Sequence, residues 1–218
     1  MEAAGLLFDM DGVLVSSIAS VNRCWRRWAE HYGLPDADKV QIAHGTRAVD
    51  IIRELNPGLD VAEGLRLIED MEIEDVADLK VLPGARELLS SLPPERWAIV
   101  TSATYRLLLG RLRAAELPVP QRIVSGDRVT RGKPDPEPYR LGAQRLGFAA
   151  RDCLVFEDAP SGVQAGVAAG ARVVGVLGTT PALTLQQHGA SWLVPSLAAV
   201  HAVAGEGGLT VTIEAVSG

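Results

Sequence analysis

The chain has 218 residues, 47% of them hydrophobic and 22% charged, enough for one good core with a smaller second module and too few for several full domains. Its net charge of −6 argues against a nucleic-acid partner, which requires a basic footprint, and an anionic small substrate would have to be met by local cations. The amino end lacks the basic start and apolar region of a secretory signal, and no stretch approaches the roughly 20 apolar residues of a membrane span; a cytoplasmic protein with no membrane partner is expected.

The first element is Gly5-Leu6-Leu7-Phe8-Asp9-Met10-Asp11-Gly12-Val13-Leu14, a short apolar run ending in two acids one residue apart and then a glycine. Such a run reads as a buried strand with its polar residues at the carboxyl end, where open α/β sheets place their chemistry. Next, Ile18, Val21, Trp25, Trp28 and Tyr32 recur at three- and four-residue steps, which predicts a helix with an apolar aromatic face, stopped by Gly33. Both tryptophans are assigned to packing. A second helix is expected from about Thr46, its candidate N-cap, through Ala48, Ile51, Ile52 and Leu55, with Pro57-Gly58 ending it. A third runs over 61–77.

Residues 16–80 therefore read as an all-helical module inserted directly after the first strand, with 1–15 and 81–218 forming the core domain. From Pro83-Gly84 onward helices (85–92, 105–115, 137–146, 162–169) alternate with strands (97–100, 122–124, 153–156, 172–176). That alternation predicts an α/β fold with a Rossmann-like parallel sheet. Residues 192–194 are a further candidate strand, and 209–213 alternate as an antiparallel edge strand would. The tail beyond Gly178 carries no motif. Cys24 and Cys153 sit far apart in apolar contexts and are expected to be free, buried thiols.

Four polar clusters fall at predicted carboxyl strand ends. Asp9 and Asp11 are close enough that they either flank a cation or share a proton, and oxygen ligands of this hardness suit Mg²⁺. Thr101-Ser102-Ala103-Thr104 offers hydroxyls and amides at a helix start, an anion site. Lys133 stands in Gly-Lys-Pro-Asp-Pro, and Glu157-Asp158 is a second acidic pair. Each has an ordinary explanation as a turn, a helix cap or a solvated side chain. The ordered set, acid pair, hydroxyl, lysine, acid pair, is hard to obtain by chance.

In these four motifs the chain resembles the haloacid dehalogenase (HAD) superfamily, and 16–80 is similar to the helical cap module of one large class of it. The resemblance implies an aspartyl-phosphate formed on Asp9, with Asp11 protonating the leaving alcohol, then activating water. It implies phosphoryl contacts from Thr101 and the amides of Ser102 and Ala103, and charge compensation by Lys133. Mg²⁺ would be held by Asp9, the backbone carbonyl of Asp11 and Asp158, with Glu157 adjacent or acting through water. Where many members carry an acid shortly after the first motif, this chain has Val15-Ser16-Ser17, so the contact made there must differ.

The loop His44-Gly45-Thr46-Arg47 between two cap helices is the candidate selector of the leaving group. An arginine in a first helical turn is poorly placed against the helix dipole, which suggests another use for Arg47, such as a substrate hydroxyl or the phosphate. With the Trp-rich first cap helix, this loop resembles the small sugar-phosphate and glycerol-phosphate phosphatases. The expected partner is a small phosphorylated sugar or polyol, and the expected state a monomer or weak dimer. A phosphosugar mutase like β-phosphoglucomutase is the enzyme alternative, and a receiver-like phospho-switch the non-enzymatic one.

Overall fold

An apolar run with no polar alternation belongs where both of its faces are covered, and Gly5-Leu6-Leu7-Phe8 is buried throughout. The computed structural model describes residues 1–205 and 207–216, so that 206, 217 and 218 of the expected core segment lie outside the described residues. In chain order the strands are β1 (Glu2–Ala3), β2 (Gly5–Phe8), β3 (Val15–Ser16), β4 (Lys80–Val81), β5 (Trp97–Val100), β6 (Ile123–Val124), β7 (Cys153–Glu157), β8 (Arg172–Val176), β9 (Trp192–Val194), β10 (Val200–Ala204) and β11 (Leu209–Ile213). The helices are α1 (Ile18–His31), α2 (Ala48–Leu55), α3 (Val61–Glu74), α4 (Ala85–Ser91), α5 (Tyr105–Ala114), α6 (Glu137–Leu146), α7 (Pro160–Ala168) and α8 (Ala182–Gln187).

Six strands in the order β6-β5-β2-β7-β8-β9 make a parallel sheet with β2 between β5 and β7, the α/β Rossmann-like arrangement expected. Side chains alternate across it. Leu6, Phe8, Trp97, Ile99, Leu154 and Phe156 enter one apolar layer, while Leu7, Ala98, Val100 and Val155 enter the other. Phe8 and Phe156 stack with ring centroids 4.9 Å apart. Each such large side chain withdrawn from water contributes about 1.5–3 kcal/mol, which fixes the register of β2 and so the place where the chain after Phe8 emerges.

Between the two-residue strands β3 and β4, which pair antiparallel, the chain is helical and has its own apolar cluster of Trp25, Trp28, Ile51, Ile52 and Ile68. Trp28 donates its indole N–H to the Gly64 carbonyl at 2.9 Å. A Cβ at Gly64 would sit 3.1 Å from the Trp28 ring, so the close crossing of α1 and α3 depends on that glycine. Both cysteines are free and buried. No helix among the described residues is long and apolar enough to cross a membrane.

Boundaries shift where tertiary contacts intervene. Helix α2 begins at Ala48 with Arg47 as its N-cap and no side-chain cap bond, instead of being capped by Thr46. The side chain of Arg47 is drawn to a core loop, and the helix starts where the chain leaves that contact. Helix α3 stops at Glu74, three residues early, and the next residue, Asp75, takes the Arg23 guanidinium at 2.7 Å. Helix α7 begins two residues early, at Pro160, a residue suited to a first helical turn. The segment 209–213 is antiparallel but not an edge. It is the middle strand of a separate sheet, β1-β11-β10, with Leu209 and Val211 buried.

Candidate active site

Parallel strands deliver the polar residues to one end. Asp9 follows β2 directly, and its N–H donates to the Phe156 carbonyl at 3.0 Å, which ties it to β7. Glu157 is the last residue of β7 and Asp158 the next. Lys133 comes from the loop before α6, and its ammonium donates to Asp9 Oδ1 at 2.7 Å and Glu157 Oε1 at 2.6 Å. All four are buried. Asp9, Glu157 and Asp158 each bring a carboxylate oxygen within 4.8 Å of the others.

Three buried carboxylates against one ammonium leave a charge excess. Burial, then the charges of Glu157 and Asp11, push Asp9 from its ordinary 3.8 up to about 7 despite relief from Lys133. Burial, then Glu157 and Asp9, hold Asp158 well above the carboxylate range, although the Thr179 hydroxyl donates to it at 2.5 Å. Burial also works against the charge on Lys133, but Asp9 and Glu157 outweigh it and raise its pKa. A divalent cation with hard oxygen ligands would relieve this excess, so the donor set fits Mg²⁺.

The members of the cluster are not equivalent. Glu157 Oε1 already accepts from Lys133 and from the Tyr139 hydroxyl at 2.7 Å, while Oε2 accepts the N–H groups of Asp158 and Ala159 at 3.0 and 3.2 Å. Four donors fill its lone pairs and fix the plane of its carboxylate. Asp9 and Asp158 retain free acceptor capacity. Glycines make the approach possible: a Cβ at Gly162 would overlap the Glu157 carboxylate, and one at Gly12, whose φ is +83°, would overlap that of Asp158.

The Thr101 hydroxyl accepts the Ala103 N–H at 3.1 Å, a tight turn that leaves its own proton free to donate. Ser102 donates its hydroxyl to the Gly45 carbonyl at 2.6 Å, and Ser161 donates to the His44 carbonyl at 3.4 Å, so the loop of the helical unit rests on the core. Asp9, Asp11, Thr101, Ser102, Ala103 and His44 line one cavity between core and helical unit. Burial lowers the pKa of His44, opposed by Asp11. Arg47 is not among the lining residues. Its guanidinium pairs with Asp50 at 2.7 Å and donates to the carbonyls of Val129 and Thr130, both at 3.1 Å. Its side chain lies over Gly126 and Gly132, where any Cβ would crowd it.

A family model for haloacid dehalogenase-like hydrolases matches residues 6–176. The chain belongs to that family. Within it, the chain is 41% identical to hexitol phosphatase A of Escherichia coli over 81% of its own length and 84% of the relative's. It is 32% identical to glycerol-1-phosphate phosphohydrolase 1 of Saccharomyces cerevisiae, over 86% and 80% respectively. A hydrolase of this fold from Pseudomonas syringae superposes with a TM-score of 0.75 at 25% identity, covering 89% of this chain and 94% of that one. Structures sharing the HAD-like fold include a β-phosphoglucomutase, so the fold alone does not separate hydrolysis from transfer.

For this HAD-like hydrolase, several residues at the site carried no local signal. Ser17 donates its hydroxyl to Asp11 Oδ1 at 2.6 Å, which is the contact made by the Val15-Ser16-Ser17 segment. Thr179 reaches Asp158 from the tail that showed no motif. Glu69 and Glu72 of α3 face the cavity, as does Arg111, which in sequence is one basic residue in the last turn of α5. Their roles depend on how helices far apart in the chain pack, which spacing does not encode.

Proposed function

We propose that the protein is a Mg²⁺-dependent phosphatase of small sugar or polyol monophosphates that works through an aspartyl-phosphate on Asp9. The observation that carries this is the placing of Asp9 against Lys133 in a buried acidic cluster, at the floor of a cavity roofed by the helical unit. In the first step an Asp9 carboxylate oxygen bonds to phosphorus while the bond from phosphorus to the ester oxygen breaks. Asp11 gives its proton to that oxygen, and the alcohol leaves. In the second step Asp11 takes a proton from water as the water oxygen attacks phosphorus, which releases phosphate and restores Asp9. Thr101 and the amides of Ser102 and Ala103 hold the phosphoryl oxygens, and Lys133 offsets their charge. Asp9, the Asp11 carbonyl and Asp158 would hold Mg²⁺, with Glu157 orienting them; the ion supplies charge neutralisation at the phosphoryl group.

In this reading the helical unit over 16–80 is the cap that contacts the leaving group. A mutase must hold a second phosphate there. Among the described residues lining the cavity, the permanent cation is Arg111, and both of its arms are already taken by Asp11 and Glu72, which leaves no free guanidinium arm for a second dianion. Carboxylates suit the hydroxyls of a neutral polyol, and the Trp25 ring suits its carbon face. The test is phosphate release from hexitol phosphates and glycerol phosphate with Mg²⁺. Hydrolysis of these ahead of bisphosphates is expected. Glucose 6-phosphate formed from β-glucose 1-phosphate and catalytic bisphosphate faster than free phosphate would overturn it in favour of the mutase.

A further inference from the structure

The guanidinium of Arg111 is the most committed charged group in the cavity wall. It is 4% exposed, it comes from the core helix α5, and it joins two carboxylates from different parts of the molecule. One arm donates to Asp11 Oδ2 at 2.6 Å, and the other to Glu72 Oε2 at 2.6 Å on α3 of the helical unit. With Ser17 donating to Oδ1, both oxygens of Asp11 have a fixed partner, so the plane of that carboxylate is set. A buried ion pair is weak evidence for stability, since well-packed apolar side chains often replace one without loss. This one instead touches the group that must face the reacting ester oxygen, and its other end reports where α3 sits.

We infer that Arg111 is a positioning residue for Asp11, bridging it to Glu72 so that the direction of the proton-handling carboxylate is tied to the seating of the helical unit. The inference rests on the proposed role of Asp11. A carboxylate that swings freely loses most of its value as a proton donor, because proton transfer needs hydrogen-bond reach and alignment at the moment the ester bond breaks. Arg111 need not touch the substrate to matter. Its effect must pass through Asp11, and that distinguishes it from a substrate contact or a packing residue.

The experiment is a double-mutant cycle on kcat/KM, using phenyl phosphate and para-nitrophenyl phosphate. The two esters are nearly identical in shape, and the phenyl ester has the leaving group that more needs a proton. Asp11→Asn is expected to lower kcat/KM for phenyl phosphate by about 10²-fold or more, the usual worth of a general acid, and to affect the nitrophenyl ester much less. Arg111→Lys keeps a charge in the site but not two planar arms; it should reproduce this selective loss at roughly tenfold. Glu72→Gln should do so more weakly. Adding Arg111→Lys to Asp11→Asn should lower the phenyl rate by no more than about threefold further, since residues acting as a unit are not additive. Equal loss on both esters, or full additivity in the double variant, would overturn the inference while leaving Asp11 as the donor. If Asp11→Asn itself shows no preference between the esters, the reading of Asp11 fails and the inference with it.

Discussion

The strand-end half of the site and the helical-unit half are built by different rules. Asp9, Thr101, Glu157 and Asp158 each stand at or just past the end of a buried strand, so the sheet register delivers them to one place regardless of what covers them. Glu69, Glu72, His44 and Arg47 reach the core only because α3 and the loop before α2 are seated on it, through Ser102, Ser161, Thr104 and Arg111. In the proposed function the chemistry is thus specified locally and the selectivity by tertiary contact. Damage to the first half should stop turnover on every substrate; damage to the second should change which substrates are used.

The largest effect expected is that of Asp9→Asn. It should abolish hydrolysis of sugar and aryl phosphates alike, by about four orders of magnitude or more, as loss of a nucleophile does elsewhere. Its thermal midpoint should hold or rise, because one of three crowded carboxylates is gone. Retained turnover on any ester would break the division between the halves.

Next in size is removal of metal. Chelation should stop activity on all substrates, and Mg²⁺ should restore it. Stability gives an independent reading. Asp9 and Asp158 have folded pKa values raised above their unfolded ones, so their contribution is complete below about pH 4 and is lost as pH rises through about 7 for Asp9. The bare protein should therefore lose midpoint between about pH 5 and pH 8, and Mg²⁺ should raise the midpoint more at the higher pH. Equal Mg²⁺ shifts at both would argue that the ion is not bound by this cluster.

Glu157→Gln should be intermediate. It keeps the shape but weakens acceptance from Lys133, Tyr139 and two amides, and a loss of about 10–100-fold in Mg²⁺ affinity or activity is expected, as for other groups that orient ligands. A change confined to one substrate would contradict its place in the common machinery.

Arg47→Ala should have the smallest effect and the most selective. Its guanidinium joins α2 to the carbonyls of Val129 and Thr130, just before Lys133 in the chain, so its loss should loosen the seating of the helical unit. Roughly tenfold poorer use of polyol phosphates is expected, with para-nitrophenyl phosphate less affected. Arg47→Lys should not rescue, since one ammonium cannot serve Asp50 and two carbonyls in the same plane. Equal loss on both substrates would place Arg47 in the core half.

How much of this was legible in the sequence follows the same division. The parallel sheet was readable because Leu-Leu-Phe, Trp-Ala-Ile-Val and Leu-Val-Phe are uninterrupted apolar runs between helical periods, and the acidic, hydroxyl and lysine clusters were readable because each abuts such a run. Arg47 stood out by its awkward place near a helix start, but its core partners, the carbonyls of Val129 and Thr130, lie 82 and 83 residues away, and nothing in His44-Gly45-Thr46-Arg47 names them. Arg111 looked like an ordinary cation at a helix end, and Thr179 lay in the tail beyond Gly178, which shows no motif. The strand at 209–213 was found by its alternation, while its neighbours β1 and β10 were too short or too mixed to be seen, so its central position in the small sheet was hidden.

Everything proposed for this site depends on the covalent step at Asp9. Enzyme turning over a hexitol phosphate with Mg²⁺ is quenched in acid, reduced with borohydride and digested. An aspartyl-phosphate is converted to homoserine by this treatment, and homoserine is expected at residue 9 alone, dependent on substrate. Turnover with no homoserine at residue 9, or homoserine at Asp11 or Asp158, would contradict the covalent step at Asp9.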